Sequence, residues 1–282
     1  MSSIAFQGQF GAYSDLICRL SYPEMTTLPC ETFEAAIEAV HEGRAELAML
    51  PPENSLAGRV ADMHALLPES GLSIIGEKFL RIEHCLLAPP GASIASIKRI
   101  HSHPVALGQV RRLIRELGAT PVVEYDTAGA AEIVAAKNSM EDAAIASSLA
   151  GELHGLQILR RNVEDESHNT TRFYVMAKEP VVFAPDTPNL MTTFVFNVRN
   201  VPAALFKALG GFATNGVNMT KLESYMVNGT FTATQFLAEV EGHPAQEKLR
   251  LAFEELTFFS TEIKILGTYP ADAFRLAQRA GG

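Results

Sequence analysis

Short apolar runs alternate with longer amphipathic stretches along the first two-thirds of the chain. Ile4-Ala5-Phe6 predicts a short buried strand ending at Gln7-Gly8-Gln9-Phe10-Gly11, with a helix over Ala12 to Leu20. Phe33 to His41 predicts an amphipathic helix rich in Ala and Glu. Leu47 to Leu50 predicts an apolar strand stopped by Pro51-Pro52, since proline has no N–H to give to a ladder. Asp62 to Leu67 predicts a short helix, and Leu72 to Leu80 begins a strand leading on through Ile82 to Ala88. A second set of units follows. A strand ends at Ile100-His101, a helix covers Pro104 to Leu117, a strand Pro121 to Tyr125 and a helix Ala128 to Lys137. Ala143 to Ala146 is then a strand, Ser147 to Leu153 a helix, and the strand after Phe173 ends at Lys178-Glu179-Pro180. Short strands parted by helices predict an α/β fold with a parallel, doubly wound sheet.

Pro180, Pro185 and Pro188, with Asp186 between them, mark a linker. The pattern changes beyond it. Met191 to Val198 predicts a strand, Ala203 to Asn215 a helix, and Met219 to Tyr225 and Thr230 to Val240 two strands. Pro244 to Leu256 predicts a helix and Ile263 to Gly267 a last strand. This order, β-α-β-β-α-β, is the split ferredoxin-like unit. The expected division is an α/β region over 1–182 and a small α+β module over 190–270.

The hydrophobic fraction of 47% and charged fraction of 20% are those of a soluble globular protein. A net charge of −9 without a basic run argues against nucleic acid or an anionic membrane as partner. An anionic substrate would need a local positive pocket. Cys18, Cys30 and Cys85 are widely spaced and fit reduced thiols, which with the absence of a leader or an 18-residue apolar window predicts a cytoplasmic protein. The histidines lack a matching ligand set, so no metal is expected, and no dinucleotide, P-loop or nucleophile-elbow motif is present.

Candidate chemistry gathers at turns. In Gly8-Gln9-Phe10-Gly11-Ala12-Tyr13-Ser14, two glycines let backbone N–H groups approach a ligand, and Tyr13 and Ser14 add hydroxyls. Pro51-Pro52-Glu53-Asn54-Ser55 places a carboxylate, an amide and a hydroxyl in succession, more than a helix cap needs. In Ser102-His103-Pro104-Val105-Ala106-Leu107, Pro104 suits a first helical position, leaving the N–H groups of Val105 and Ala106 for a carboxylate. Asp126-Thr127-Ala128 is another capped helix start. Finally, Asn169-Thr170-Thr171-Arg172-Phe173 offers donors and a fixed cation before an apolar strand.

These five segments, in order and spacing, resemble the prephenate dehydratase family, and the tail resembles the phenylalanine-sensing ACT domain found there. The resemblance covers nearly the whole chain. It implies a two-lobed architecture of the periplasmic-binding-protein type, a site between lobes, and expulsion of CO2 and water from prephenate without a cofactor. Thr171 is the residue it ties to catalysis, as a donor to the departing oxygen, either directly or relaying from another group. Arg172 would meet a carboxylate or serve in a structural ion pair, and Phe173 would wall the ring or pack the core. Tyr13, Ser14, Glu53, Asn54, Ser55, Ser102, His103, Ala106, Leu107, Thr127 and Ala128 are the implied substrate contacts.

The implied effector site departs from the family. Its Pro-Gly-Ala-Leu turn reads Pro202-Ala203-Ala204-Leu205, and its Glu-Ser-Arg-Pro turn reads Glu223-Ser224-Tyr225-Met226. Inhibition by phenylalanine is therefore expected at higher concentration or with altered preference. A homodimer or homotetramer is implied. The motifs do not separate prephenate from its amino acid analogue arogenate, and a two-lobed carboxylate sensor without chemistry is the alternative of a different class.

Overall fold

The computed structural model describes residues 2–199, 201–226 and 233–280. By packing, the chain forms two compact units, Met1–Met63 with Lys78–Phe173, and His64–Glu77 with Tyr174–Gly282.

The first unit is built on β1 (Ser3–Gln7), α1 (Tyr13–Ser21), β2 (Thr26–Cys30), α2 (Phe33–His41), β3 (Leu47–Asn54) and β4 (Gly58–Arg59). The chain leaves it through α3 (Ala61–Leu66) and returns along β5 (Ser73–Arg81). There follow β6 (Cys85–Ala88), β7 (Arg99–Ser102), α4 (Pro104–Gly108), α5 (Arg111–Leu117), β8 (Thr120–Val123), α6 (Thr127–Lys137), β9 (Asp142–Ala146), α7 (Ser148–Leu153), β10 (Gln157–Arg160) and β11 (Thr170–Ala177).

These strands make two sheets rather than one. The first has the order β2-β1-β3-β11-β5, with β4 paired to β3; the second has the order β10-β6-β9-β7-β8. Neither is wholly parallel as the sequence pattern predicts. β1 runs parallel to β2 and β3, and β7 to β8 and β9, but β6 is antiparallel to both β9 and β10. The run expected to continue from Leu72 to Ala88 is interrupted at Ile82–His84, where the chain crosses between sheets. Residues 161–169 cross back beside it, with Ile82 N–H donating to Asn169 O at 2.8 Å and Val163 N–H to His84 O at 3.0 Å. Helices cover both faces of the second sheet, so its adjacent strands β6 and β9 are buried along their whole length. Leu86 packs with Leu107, Leu113 and Ile145, while its neighbours Cys85 and Leu87 pack with Ala130, Val134 and Ala150.

Two further predictions are corrected. Pro51 and Pro52 do not stop β3, because the ladder there needs only a proline carbonyl: Pro52 O accepts from Val60 N–H at 2.9 Å. The helix expected over Pro104 to Leu117 is broken at Gln109-Val110. Asp165 makes the break affordable, its carboxylate accepting from Arg111 N–H at 2.9 Å and Arg112 N–H at 3.0 Å as a cap supplied by a distant segment.

The second unit holds β12 (Leu190–Val198), α8 (Ala204–Thr214), β13 (Met219–Met226), β14 (Ala233–Glu241), α9 (Glu247–Phe259), β15 (Ser260–Pro270) and α10 (Ala273–Ala280). The predicted strand from Thr230 begins outside the described residues. An antiparallel sheet of order β13-β14-β12-β15 carries α8 and α9, the expected ferredoxin-like arrangement. Its core is aromatic: Phe194 stacks on Phe212 at 5.7 Å and meets Phe253 edge-on at 4.8 Å. The helix α10 is not predicted by the sequence pattern.

Ala203 caps α8 in the left-handed region, at φ 62°. A Cβ there costs about 1–2 kcal/mol. Ala203→Gly is therefore expected to stabilise the second unit by about 1 kcal/mol, read from the chemical denaturation midpoint; an unchanged or lower midpoint would show that the methyl is not strained. Among the described residues, no helix is long and apolar enough to cross a membrane.

Candidate active site

The hairpin after β3 and the segment entering β11 lie side by side. Ser55 N–H donates to Thr170 O at 2.8 Å, Ser55 Oγ donates to His168 O at 3.0 Å, and Thr170 N–H donates to Ser55 Oγ at 2.9 Å. This clamp sets Glu53-Asn54 against Thr171-Arg172. Glu53 Oε1 accepts from Arg172 Nη1 at 2.9 Å, and the Arg172 guanidinium lies 5.8 Å from the centre of the Phe79 ring. Arg172 is only 3% exposed but the Glu53 side chain is 31% exposed, so the ion pair is half-buried.

Asn54 decides the geometry at Thr171. Its Oδ1 accepts from the backbone N–H groups of Leu56 and Ala57, both at 2.9 Å, which identifies the oxygen end of the amide. Nδ2 then donates to Asn169 Oδ1 at 2.8 Å and to Thr171 Oγ1 at 2.9 Å. The Thr171 hydroxyl thus accepts from Asn54 and keeps its own hydrogen for another partner. An amide passes on no proton, so Asn54 is not the relay group that the sequence left open.

The network continues inward. Asn169 Nδ2 donates to Gln109 Oε1 at 3.1 Å, the same oxygen lies 2.9 Å from His84 Nε2, and His84 Nδ1 lies 2.7 Å from Tyr13 Oη. Burial holds the His84 imidazole below its ordinary range, with Gln109 and Glu164 acting the other way. Burial likewise pushes the Tyr13 phenol well above its ordinary range, helped by Cys85, Glu164 and Glu83.

A cavity of about 610 Å³ opens beside Gln109, lined also by Leu56, Ala57, Val105, Arg111 and Asp165. That is the size of a small-ligand site. Gly8, Gln9 and Phe10 line a different cavity of about 580 Å³ with Cys30, Tyr125 and Asp126. The turns around Pro51 and Ser102 thus share one cavity, and those around Gly8 and Asp126 share the other.

Several implied contacts are committed elsewhere. Ser102 is fully buried and its Oγ donates to Ile145 O at 2.6 Å. The N–H of Val105, expected to be free, donates to His103 Nδ1 at 3.2 Å. Ala106, Leu107, Ala128 and Phe173 are buried in apolar core. Thr127 opens α6 behind the Asp126 cap, which accepts from Gly129 N–H at 2.6 Å, and Ser14 is half-buried in the first turn of α1. Gly11 serves packing: at φ 88° a Cβ would lie 2.9 Å from Ala150 Cα. His84 and Gln109 are the members that sequence reasoning missed, one hidden in a predicted strand and the other in a predicted helix. In the second unit the register sets Tyr225 beside Gln235 and Gln235 beside Asn197. Glu223-Ser224-Tyr225 and the Ala203-Ala204-Leu205 turn therefore lie at one end of the sheet. Among the described residues, no cluster of three or more His, Cys, Asp or Glu could hold a metal ion.

The sequence profile of the prephenate dehydratase family matches residues 4–181. The chain belongs to the prephenate dehydratase family. A bifunctional N-acyl-homoserine lactone acylase/prephenate dehydratase of Komagataeibacter europaeus is 63% identical over 272 residues, covering 96% of this chain and 97% of its own. An arogenate dehydratase/prephenate dehydratase of Arabidopsis thaliana is 38% identical, covering 97% of this chain and 74% of its own. The crystal structure of a prephenate dehydratase from Arthrobacter aurescens in complex with L-Phe superposes with a TM-score of 0.85 at 29% identity, covering 95% of this chain and 90% of its own. Within the family, the Asn54–Thr171 pairing is the geometry from which an activity must be argued.

Proposed function

We propose that the chain is a prephenate dehydratase, converting prephenate to phenylpyruvate, CO2 and water, with residues 1–182 catalytic and residues 190–270 an ACT module answering to phenylalanine. The carboxylate carbon–carbon bond breaks, its electrons complete the aromatic ring, and the ring carbon–oxygen bond breaks as hydroxide takes one proton. The difficulty is the leaving oxygen. The Asn54 amide donating to Thr171 Oγ1 carries the reading, since it leaves the hydroxyl hydrogen for that oxygen and makes it a better donor. Arg111 is the cation among the cavity residues named and suits a substrate carboxylate. Ala203 and Tyr225-Met226, in place of the family's glycine and Arg-Pro, would weaken the phenylalanine response. The reading further takes the protein to be a cytoplasmic homodimer or homotetramer without a cofactor.

The test is ultraviolet detection of phenylpyruvate from prephenate, beside phenylalanine formation from arogenate, each with and without added phenylalanine. Turnover of prephenate at a higher kcat/KM than arogenate is expected, and the reverse order would make the chain an arogenate dehydratase. A second reading, hydrolysis of N-acyl-homoserine lactones, is favoured by the 63% identity to the bifunctional relative across 96% of this chain. Release of homoserine lactone from an N-acyl substrate tests it in the same preparation.

A further inference from the structure

Two backbone N–H groups fix the direction of every hydrogen bond from Thr171 to Tyr13. Leu56 and Ala57 donate to Asn54 Oδ1, so Asn54 can only donate to Asn169 and Thr171. Asn169, accepting with its oxygen, must donate to Gln109 with its nitrogen. Gln109 Oε1, accepting there, must accept from His84 as well, which places a hydrogen on His84 Nε2. In the neutral ring Nδ1 is then bare, and the Tyr13 hydroxyl, whose other acceptor is the Glu83 carbonyl at 3.2 Å, donates to it at the shorter distance of 2.7 Å. Turning any one amide would set donor against donor.

The members come from different parts of the first unit. Tyr13 starts α1, Asn54 ends β3 and Thr171 begins β11, all on the first sheet's side, whereas Gln109 belongs to the break between α4 and α5 beside the second sheet. His84 and Asn169 lie in the two crossings. Three amides stand in the chain of contacts, so it cannot conduct a proton; what it can do is hold groups in place. Tyr13 and His84 do not line the ligand cavity: His84 reaches it only through Gln109, and both connect to the reacting hydroxyl through this chain.

Resting on the dehydratase reading, we propose that Tyr13 and His84 are positioning residues for Thr171: by pinning the Gln109 oxygen they orient Asn169 and Asn54, and so aim the Thr171 hydroxyl. This replaces the direct substrate contact expected of Tyr13.

Tyr13→Phe removes one oxygen and leaves the ring in place. It is expected to lower kcat by about tenfold with KM within about twofold, because misplacement of a reacting group costs rate more than binding. In the Thr171→Ala background the same change is expected to lower kcat by no more than about twofold, since the group being aimed is gone. Nitrogen-15 NMR of His84 in the wild-type protein is expected to show the Nε2–H tautomer. His84→Ala should repeat the kinetic pattern, and if it does not fold, Tyr13→Phe decides alone. Full kcat in Tyr13→Phe, an undiminished loss in the double variant, or an Nδ1–H tautomer would each overturn the proposal. A wild-type protein inactive on both prephenate and arogenate would instead sink the dehydratase reading, and this inference with it.

Discussion

Thr171→Ala is expected to lower kcat for prephenate by about 10²-fold or more, while KM and the thermal unfolding midpoint stay near their wild-type values. The asymmetry follows from the bonds. Thr171 Oγ1 accepts one hydrogen bond, from an Asn54 nitrogen that also donates to Asn169, so the alanine leaves Asn54 its bonds to Asn169, Leu56 and Ala57 and disturbs little of the fold. The lost interaction is the one made as negative charge gathers on the departing oxygen, which is why the effect falls on kcat. A factor of 10² corresponds to about 2.7 kcal/mol of transition-state stabilisation. Thr171→Ser keeps the hydroxyl but loses the methyl that restricts its rotamer, and it should recover most of the rate. Steady-state kinetics on the two variants give the answer. Near-normal kcat in Thr171→Ala would remove the hydroxyl from the mechanism and shift attention to Arg111 and the Glu53–Arg172 ion pair.

Much of this candidate site can be read from the sequence, and the part that cannot has a physical cause. Asn54 and Thr171 sit in segments whose polar residues outnumber what capping or turn formation requires, so local chemistry exposes them. His84 and Gln109 are invisible to the same reasoning. A histidine between two apolar strands reads as an interrupted sheet position, and its partners Tyr13 and Gln109 are 71 and 25 residues away. Gln109 is further hidden because the helix break that turns it inward depends on Asp165, 56 residues on, whose backbone N–H donates to Gln109 O at 2.6 Å. Periodicity carries no information about a cap delivered from that distance. Ser102, Ala106 and Leu107 show the opposite failure: a motif that marks the turn correctly also contains residues whose own side chains serve the core. In the tail, the largely apolar run over Met191 to Val198 reveals β12, which is buried on both faces, and the helical spacing over Pro244 to Leu256 reveals α9, which buries one. The helix α10 escapes because it follows the sheet and is held through a charged contact rather than a wide apolar stripe.

Replacing Arg275 of α10 by methionine is expected to cost the second unit about 3 kcal/mol. The Arg275 guanidinium grips Glu77 with two bonds of 2.8 Å each and reaches Glu239 Oε2 at 3.5 Å. Glu77 is 2% exposed and Glu239 0%, so two carboxylates would lose the same cation while staying out of water. The side chain of Arg275 is itself 16% exposed, which places the cost at the low end of the range for breaking a buried pair. Glu239 keeps the Tyr174 hydroxyl as a donor and Glu77 keeps the Asp272 N–H at 3.1 Å, so neither carboxylate is stripped of hydrogen bonds; what is lost is charge compensation. Glu77→Gln in the methionine background should therefore regain part of the stability, because a neutral amide can remain buried without the cation. Urea unfolding of the single and double variants measures both terms. A loss below about 1 kcal/mol for Arg275→Met would mean that solvent screens the pair as it does at a surface. The same contact bears on where the module ends. The segment 190–270 contains Glu239 but not Arg275, so a fragment cut at those limits leaves the buried Glu239 without that cation and is expected to unfold at lower urea than one extended through α10, which restores the Arg275–Glu239 contact.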